Sequence, residues 1–424
     1  MGSYTIKSIQ QYLLHFAFLG LTFGSGACQG QNPSPASDKD FIIPENASFT
    51  QLTTSLDSLS QLLPEPIAQK GFDSLWAYIK REKGVPLTED DSVAFFYEGS
   101  ASSVAWNGDF NRWGGQSFRN QGTRLGESSV WMLKQSFPTT ARLDYKIVKD
   151  GNNWILDPLN PHQQWGGAGP NSELRMPLWV LDSATIINED VPKGSLSENQ
   201  ILQSSALGYA VQFTVYTPFS YEEMENLPSL YVTDGHEYSD PKMGAMLTVL
   251  DNLIADGKVA PLVVVFVDPR NPSNLSQNRR MEELTITPSY LQFFENELIP
   301  FIDTQYSTQT AASHRGILGT SLGGLNAAYF GIAGTSFQRI GIHSPAFWYR
   351  TQIYSLYQAQ EAKNLQIYMS TGVINDTQDG ALQMKGIWES KGYSFQYTEV
   401  QEGHSWGNWR ALIDEVLLHL YPAD

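Results

Sequence analysis

The residues of this 424-residue chain best placed to do chemistry are Ser321, His404 and Asp376. Ser321 stands in Gly319-Thr320-Ser321-Leu322-Gly323-Gly324, between a short apolar run at 316–318 and a helix-like segment at 325–330. A serine at a sharp strand-to-helix turn has its hydroxyl lifted above the sheet, and flanking glycines remove the Cβ atoms that would clash there. The N-terminus of the following helix then faces the oxygen on which charge develops during acyl transfer. A serine hydroxyl needs a base to take its proton, and in this setting the chain order is Ser, acid, His. Three histidines follow Ser321: His343, His404 and His419. His404, in Glu402-Gly403-His404-Ser405-Trp406, comes after the strand-like run 395–400 and before the closing helix, where a loop can reach the serine. His343 comes too early for an acid to precede it and is expected to line the cleft, while His419 belongs to the closing helix. The acid is expected on the loop after the apolar run 365–369. Asp376 is favoured there, with Asp379 and a Ser–His pair without a carboxylate left open; the acid's role is to fix the imidazole tautomer. An oxyanion hole needs two backbone N–H groups. Leu322 is expected to supply one, and Gly235 or His236, in Thr233-Asp234-Gly235-His236-Glu237, the other.

The surrounding patterning says what must position these groups. From about residue 198, apolar runs at 209–216, 229–232, 262–267, 316–318, 340–342 and 365–369 alternate with helix-length segments. That is the pattern of an α/β domain, a mainly parallel sheet with helices on both faces. Between about 92 and 181 the chain carries short alternating runs (93–97, 130–134, 141–148) and the turns Asn107-Gly108 and Lys149-Asp150-Gly151, as in a β-sandwich. Ahead of it, Leu52, Leu56, Leu59, Leu62 and Leu63, then Phe72, Leu75 and Ile79, have amphipathic helical spacing interrupted at Pro64 and Pro66. The expected division is 1–27 signal peptide, 28–49 tether, 50–90 helical segment, 91–185 β-sandwich and 186–424 catalytic domain.

The start has one lysine, Lys7, an apolar run at 12–23, and Gly24-Ser25-Gly26-Ala27-Cys28. This is a signal-peptide pattern with an apolar run too short to span a bilayer comfortably. Small residues directly before Cys28 resemble a bacterial lipoprotein cleavage box, an ordinary secretory signal being the other reading. The expectation is export and a lipid anchor on Cys28, facing the periplasm or the cell surface. Cys28 is the single cysteine, so no intramolecular disulfide forms. The formal net charge of -17 excludes a basic surface for nucleic acid. No Cys/His/Asp spacing makes a metal site and no glycine loop cradles phosphate, so neither metal nor cofactor is expected.

Taken together, Asp234-Gly235, the segment 278–284 with Arg280 and Glu283, Gly319–Gly324, His343-Ser344-Pro345-Ala346-Phe347-Trp348 and the segment 403–410 resemble the enterochelin esterase family and the wider esterase D-like α/β-hydrolases. The β segment, through Trp106, Trp113, Trp131, Tyr145-Lys146, Asp150-Gly151 and Asp157, resembles the N-terminal immunoglobulin-like domain of those esterases, itself similar to glycogen-binding modules. Its tryptophans either pack the sandwich or stack on sugar or catecholate rings. The resemblance implies an α/β-hydrolase fold, no cofactor, and a small-molecule ester substrate, a siderophore lactone first. Arg280 would then meet an anionic or catecholate group, with Glu283 and Trp406 beside it; a loop ion pair between Arg280 and Glu283 is the plainer reading. A glycan-linked feruloyl or acetyl ester is the alternative substrate. A reading of another class is a non-catalytic lipoprotein that binds siderophore or glycan.

Overall fold

The structure, a computed structural model, describes residues 43, 44, 46–115 and 120–423. The signal peptide, Cys28 and most of the tether expected from the sequence lie outside the described residues.

Strands covered on both faces read as unbroken apolar runs. Val263–Asp268 and Arg315–Thr320 are two such strands, every residue of each buried. They belong to a nine-stranded sheet. Its six parallel strands lie in the order Val263–Asp268, Ser229–Val232, Arg315–Thr320, Arg339–His343, Gln366–Gly372 and Ser394–Val400. Ala210–Thr217 extends this sheet antiparallel beside Val263–Asp268, and Ser195–Leu196 and Gln200–Gln203 pair with its outer edge. After Ser229–Val232 the chain steps to one side for Val263–Asp268 and then to the other for Arg315–Thr320. Such a reversal opens a crevice at the carboxyl ends of the strands, where ligands enter open α/β sheets. One face is packed by Leu291, Phe294, Phe330, Tyr357 and Trp388, the other by Leu250, Leu253, Trp406, Val416 and Leu417. This is an α/β-hydrolase fold.

The N-terminal part holds a four-stranded sheet (Leu87–Glu89, Ser92–Glu98, Val130–Ser136, Thr123–Arg124) and a five-stranded one (Val104–Gly108, Arg142–Lys149, Gly169–Arg175, Gln163–Gly166, Asn153–Ile155). Alternation along Ser92–Glu98 explains how they pack. Val93, Phe95 and Tyr97 join Trp106, Trp131 and Tyr145 between the sheets, while Ala94 and Phe96 face outward. The helices Phe49–Ser60 and Pro66–Tyr78 cover that outward face with Leu52, Leu56, Phe72 and Leu75. Ser48 and Gln51 close a capping box on the first helix, and Pro66 opens the second where its missing N–H costs nothing. The helical segment therefore shares a core with the β region.

Candidate active site

Ser321 ends the strand Arg315–Thr320 and precedes the helix Leu322–Ala333. Its φ of 58° and ψ of -113° place it in strained backbone, the cost of a turn that sharp. Glycine is required on both sides: a Cβ on Gly319 would lie 2.3 Å from the Gly323 backbone, and one on Gly323 would lie 2.5 Å from Thr233 Oγ1. The Ser321 N–H donates to the His343 carbonyl at 2.9 Å, which ties the turn to the neighbouring strand.

His404 stands 3.0 Å from Ser321 Oγ through Nε2 and 2.6 Å from Asp376 Oδ1 through Nδ1. Asp376, on the loop after Gln366–Gly372, is buried, and its Oδ2 accepts from Ser344 Oγ at 2.6 Å and from the Gly372 N–H at 2.7 Å. Burial alone would raise this carboxyl; the His404 imidazole and the Ser344 and Gly372 donors outweigh it and hold it below its usual range. The ionised acid fixes the proton of His404 on Nδ1 and leaves Nε2 free to accept from serine. Of the two acids considered, Asp379 sits in the first turn of the helix Gln378–Lys391 and Asp376 alone is bonded to His404.

Leu322 opens the helix after the serine, and Gly235 opens the helical turn Gly235–Tyr238 after Ser229–Val232. The N–H groups of Leu322, Gly235 and His236, at the starts of these two helical segments, bond to no other described residue and so are free to receive an anion. A Cβ on Gly235 would come within 2.3 Å of the Phe266 backbone, so only glycine brings the turn this close to the sheet. The His236 imidazole points elsewhere, with Nδ1 3.3 Å from Asp268.

A cavity of about 390 Å³ opens over Ser321 and His404, with Trp113, Glu237, Arg280 and Trp406 in its wall. Arg280 is already engaged: Nε is bonded to both carboxylate oxygens of the buried Asp234, at 2.8 and 2.9 Å, and its guanidinium also reaches the Thr320 carbonyl. Trp406 donates its indole N–H to Glu237 Oε2 at 2.8 Å and packs edge-on against Tyr238 and Trp409. Two expectations are corrected. Glu283 is only 1% exposed, is absent from the cavity wall, and accepts from Tyr209 Oη at 2.9 Å; it forms no pair with Arg280, because Asp234 has taken that role. His343 does not line the cleft: it is fully buried with Nδ1 2.8 Å from Ser370 Oγ, and burial drives its pKa down to about 3. Its contribution to Ser321 is a backbone carbonyl. Among the described residues, no cluster of His, Cys, Asp and Glu could hold a metal.

A family profile described as "Putative esterase" matches residues 204–420, just over half of the chain. The chain belongs to this esterase family. Among its relatives, an uncharacterised Bacillus subtilis protein, YjcH, is 23% identical over 238 residues, 53% of this chain and 98% of its own. A Xylanibacter ruminicola endo-1,4-beta-xylanase/feruloyl esterase is 26% identical over 210 residues, 48% of this chain and 28% of that longer protein. The ferric enterobactin esterase of Salmonella typhimurium has the same fold, with a TM-score of 0.69 at 19% identity over 81% of this chain and 98% of that one. The Shigella flexneri enterobactin esterase, solved in the presence of enterobactin, gives 0.67 at 19% identity over 81% and 97%.

The esterase completes its cavity with residues from the β region. Trp113, 37% exposed, lines the cavity over Ser321, and also a second hollow of about 400 Å³ shared with Arg112, Asn375 and His404. Trp106 and Trp131 pack the sandwich instead, so the tryptophans of this region divide between core and cavity. Asp144, Asn171 and the hairpin Gly166-Gly167-Ala168-Gly169 also border the esterase cavity. Asp144, Asn171 and this hairpin were not singled out from sequence; the run of three glycines in four residues is the local signal that could have drawn attention to the hairpin. Glu237 escaped too, although it is the last residue of the segment read for its backbone. A Cβ on Gly167 would stand 2.7 Å from Glu237 Oε1, so the hairpin closes tightly on that carboxylate.

Proposed function

We propose that the protein is a serine carboxylic ester hydrolase with Ser321 as nucleophile, His404 as general base and Asp376 as its orienting acid. The observation that carries this reading is the unbroken hydrogen-bond chain Ser321 Oγ–His404–Asp376 at the strand-to-helix turn. His404 Nε2 takes the hydroxyl proton as Ser321 Oγ attacks the ester carbonyl, and Asp376 stabilises the imidazolium. The oxyanion is received by the N–H groups of Leu322 and of Gly235 or His236. His404 returns the proton to the leaving alcohol, and water repeats the sequence on the acyl-enzyme to release the acid. A fluorophosphonate probe tests this: Ser321 in the intact protein should label, and labelling that persists in Ser321→Ala would refute the assignment.

The substrate we propose is a catecholate siderophore lactone, supported by the resemblance around Arg280-Met281-Glu282-Glu283-Leu284 and by Trp113, an exposed indole in the cavity wall. A glycan-linked feruloyl ester is the second reading. It is favoured by the pairing of Arg280 with Asp234, which leaves no uncompensated arginine or lysine in the wall of the cavity over Ser321 to attract a strongly anionic ligand. Hydrolysis of a catecholate trilactone and of feruloylated oligosaccharide by one preparation separates the two. We further propose that the β region is an immunoglobulin-like domain and that Cys28 carries a lipid anchor. Metabolic palmitate labelling that is lost in Cys28→Ser is the outcome expected of the anchor.

A further inference from the structure

Arg142 begins the β-region strand Arg142–Lys149 and is completely buried, which is unusual for a guanidinium. Each of its three guanidinium nitrogens has a partner. Nε reaches Glu173 at 2.7 Å, one terminal nitrogen reaches Asp144 at 2.5 Å, and the other reaches Ser405 Oγ at 3.0 Å with Glu402 at 3.5 Å. Two of these partners, Glu402 and Ser405, belong to the loop that carries His404. The backbone makes the same connection: the Arg142 N–H donates to the Gln401 carbonyl, and Arg142 forms a parallel bridge with Glu402.

The fit on this loop is close on both sides of the histidine. A Cβ on Gly407 would stand 1.9 Å from Arg142 Cζ, and one on Gly403 would stand 2.3 Å from Asp109 Cγ. Both glycines therefore vacate space that β-region side chains occupy. The loop bearing the acid is held from the same side, since Asn375, next to Asp376, donates to the Asp109 carbonyl at 2.9 Å and accepts from Arg112 Nε at 3.3 Å. His404 itself is partly exposed; besides Ser321 and Asp376, its ring contact is an edge-on one with Trp409. A ring so exposed depends on its loop for its place.

We infer that Arg142 is a positioning residue for His404, acting through Ser405 and Glu402, so that the β region is part of the frame that makes Ser321 reactive. This rests on the reading of His404 as the base. A purely structural arginine would affect melting without affecting turnover by the folded enzyme. A positioning arginine affects turnover, because displacing a catalytic group by about 1 Å costs on the order of 10²-fold.

The test uses the full chain and p-nitrophenyl acetate, an ester too small to need the β region for binding. Arg142→Met is expected to lower kcat by about 10²-fold with KM nearly unchanged, and Arg142→Lys, which restores charge without the planar fork, to recover part of that loss. Arg142→Met also leaves buried Asp144 and Glu402 without their cation, and Glu173 with Arg175 alone, and can fail to fold. Ser405→Ala covers that case by removing only the contact nearest His404; the protein should stay folded with a modestly lower melting temperature, and kcat of the folded enzyme should fall roughly tenfold. Wild-type kcat in Ser405→Ala, or in a folded Arg142→Met, overturns the inference. Failure of the underlying reading looks different: His404→Ala would then still hydrolyse the ester at the wild-type rate.

Discussion

Replacing Asp376 by asparagine changes one atom, and the structure says which way the new side chain must turn. Oδ2 sits among donors: the Gly372 N–H at 2.7 Å, Ser344 Oγ at 2.6 Å and, farther off, Asn408 Nδ2 at 3.4 Å. Ser344 Oγ already accepts from Trp409 Nε1 at 2.9 Å, so its own proton is directed at Asp376. An amide nitrogen placed there would meet the Gly372 N–H donor to donor at 2.7 Å, and a backbone N–H, unlike the hydroxyls of Ser344 and of Thr371 at 3.3 Å, cannot turn to accept. The amide introduced by Asp376→Asn must therefore put its oxygen in the Oδ2 position and its NH₂ against His404 Nδ1. The imidazole answers by accepting at Nδ1 and carrying its proton on Nε2, the atom 3.0 Å from Ser321 Oγ. That tautomer cannot take the serine proton, and the imidazolium that should follow has lost its carboxylate.

The expected cost is about 10⁴ in kcat, equivalent to about 5 kcal/mol of transition-state stabilisation. KM and melting temperature should hardly move, because the amide fills the same volume and keeps its bonds to Gly372 and Ser344. The assay is steady-state hydrolysis of p-nitrophenyl acetate, with the rate of fluorophosphonate labelling as a second reading of serine reactivity. An Asp376→Asn enzyme within tenfold of wild type would refute the reasoning, and decisively so if Asp379→Asn lost the activity instead.

Three further outcomes are expected. Burial raises the Glu283 carboxyl to about 8, so between about pH 4.5 and 8 the folded state holds a proton that the unfolded chain has released; stability should fall as pH rises through that window. Buried Asp109, raised to about 8, and Glu402, to about 7, act in the same direction, and calorimetry should show Glu283→Gln flattening part of the slope. Arg280→Gln leaves the carboxylate of Asp234 buried without its cation, which should cost about 3–5 kcal/mol and lower the melting temperature even without substrate. Trp113→Ala should raise KM for an aromatic ester by roughly 3- to 10-fold, the worth of one ring contact, while leaving KM for p-nitrophenyl acetate less affected.

Much of this site could be read from the chain because local rules govern it. The apolar run 229–232 is a strand in full, and the elbow around Ser321 falls where a strand, two glycines and a helix meet. The ambiguity between Asp376 and Asp379 was also local in origin; Asp379 falls in the helix that starts at Gln378, and Asp376 is the one of the two bonded to His404. The misreadings concern which group of a residue faces the site. For His343 the sequence draws attention to the ring, whereas its carbonyl holds Ser321 and its ring lies beneath the sheet's end against Ser370. Arg280 and Glu283, three apart, look like partners on one turn of helix. Asp234, 46 residues earlier, offers Arg280 a bidentate carboxylate that Glu283, turned to Tyr209, does not.

The segment Gly403-His404-Ser405-Trp406-Gly407 shows where such reading stops. Two glycines around a histidine suggest a flexible turn, and conformational freedom is the usual reason for glycine. Neither has positive φ among the backbone exceptions of the structure. Each is required for space, one by Asp109 and the other by Arg142, whose positions in the chain lie more than 250 residues upstream. No periodicity within the loop encodes those neighbours, because they belong to the β region, assembled from another part of the chain. The glycines are the imprint that the β region leaves on the catalytic loop. Substituting either with alanine should therefore disturb the packing between the two regions first, and the orientation of His404 as its consequence.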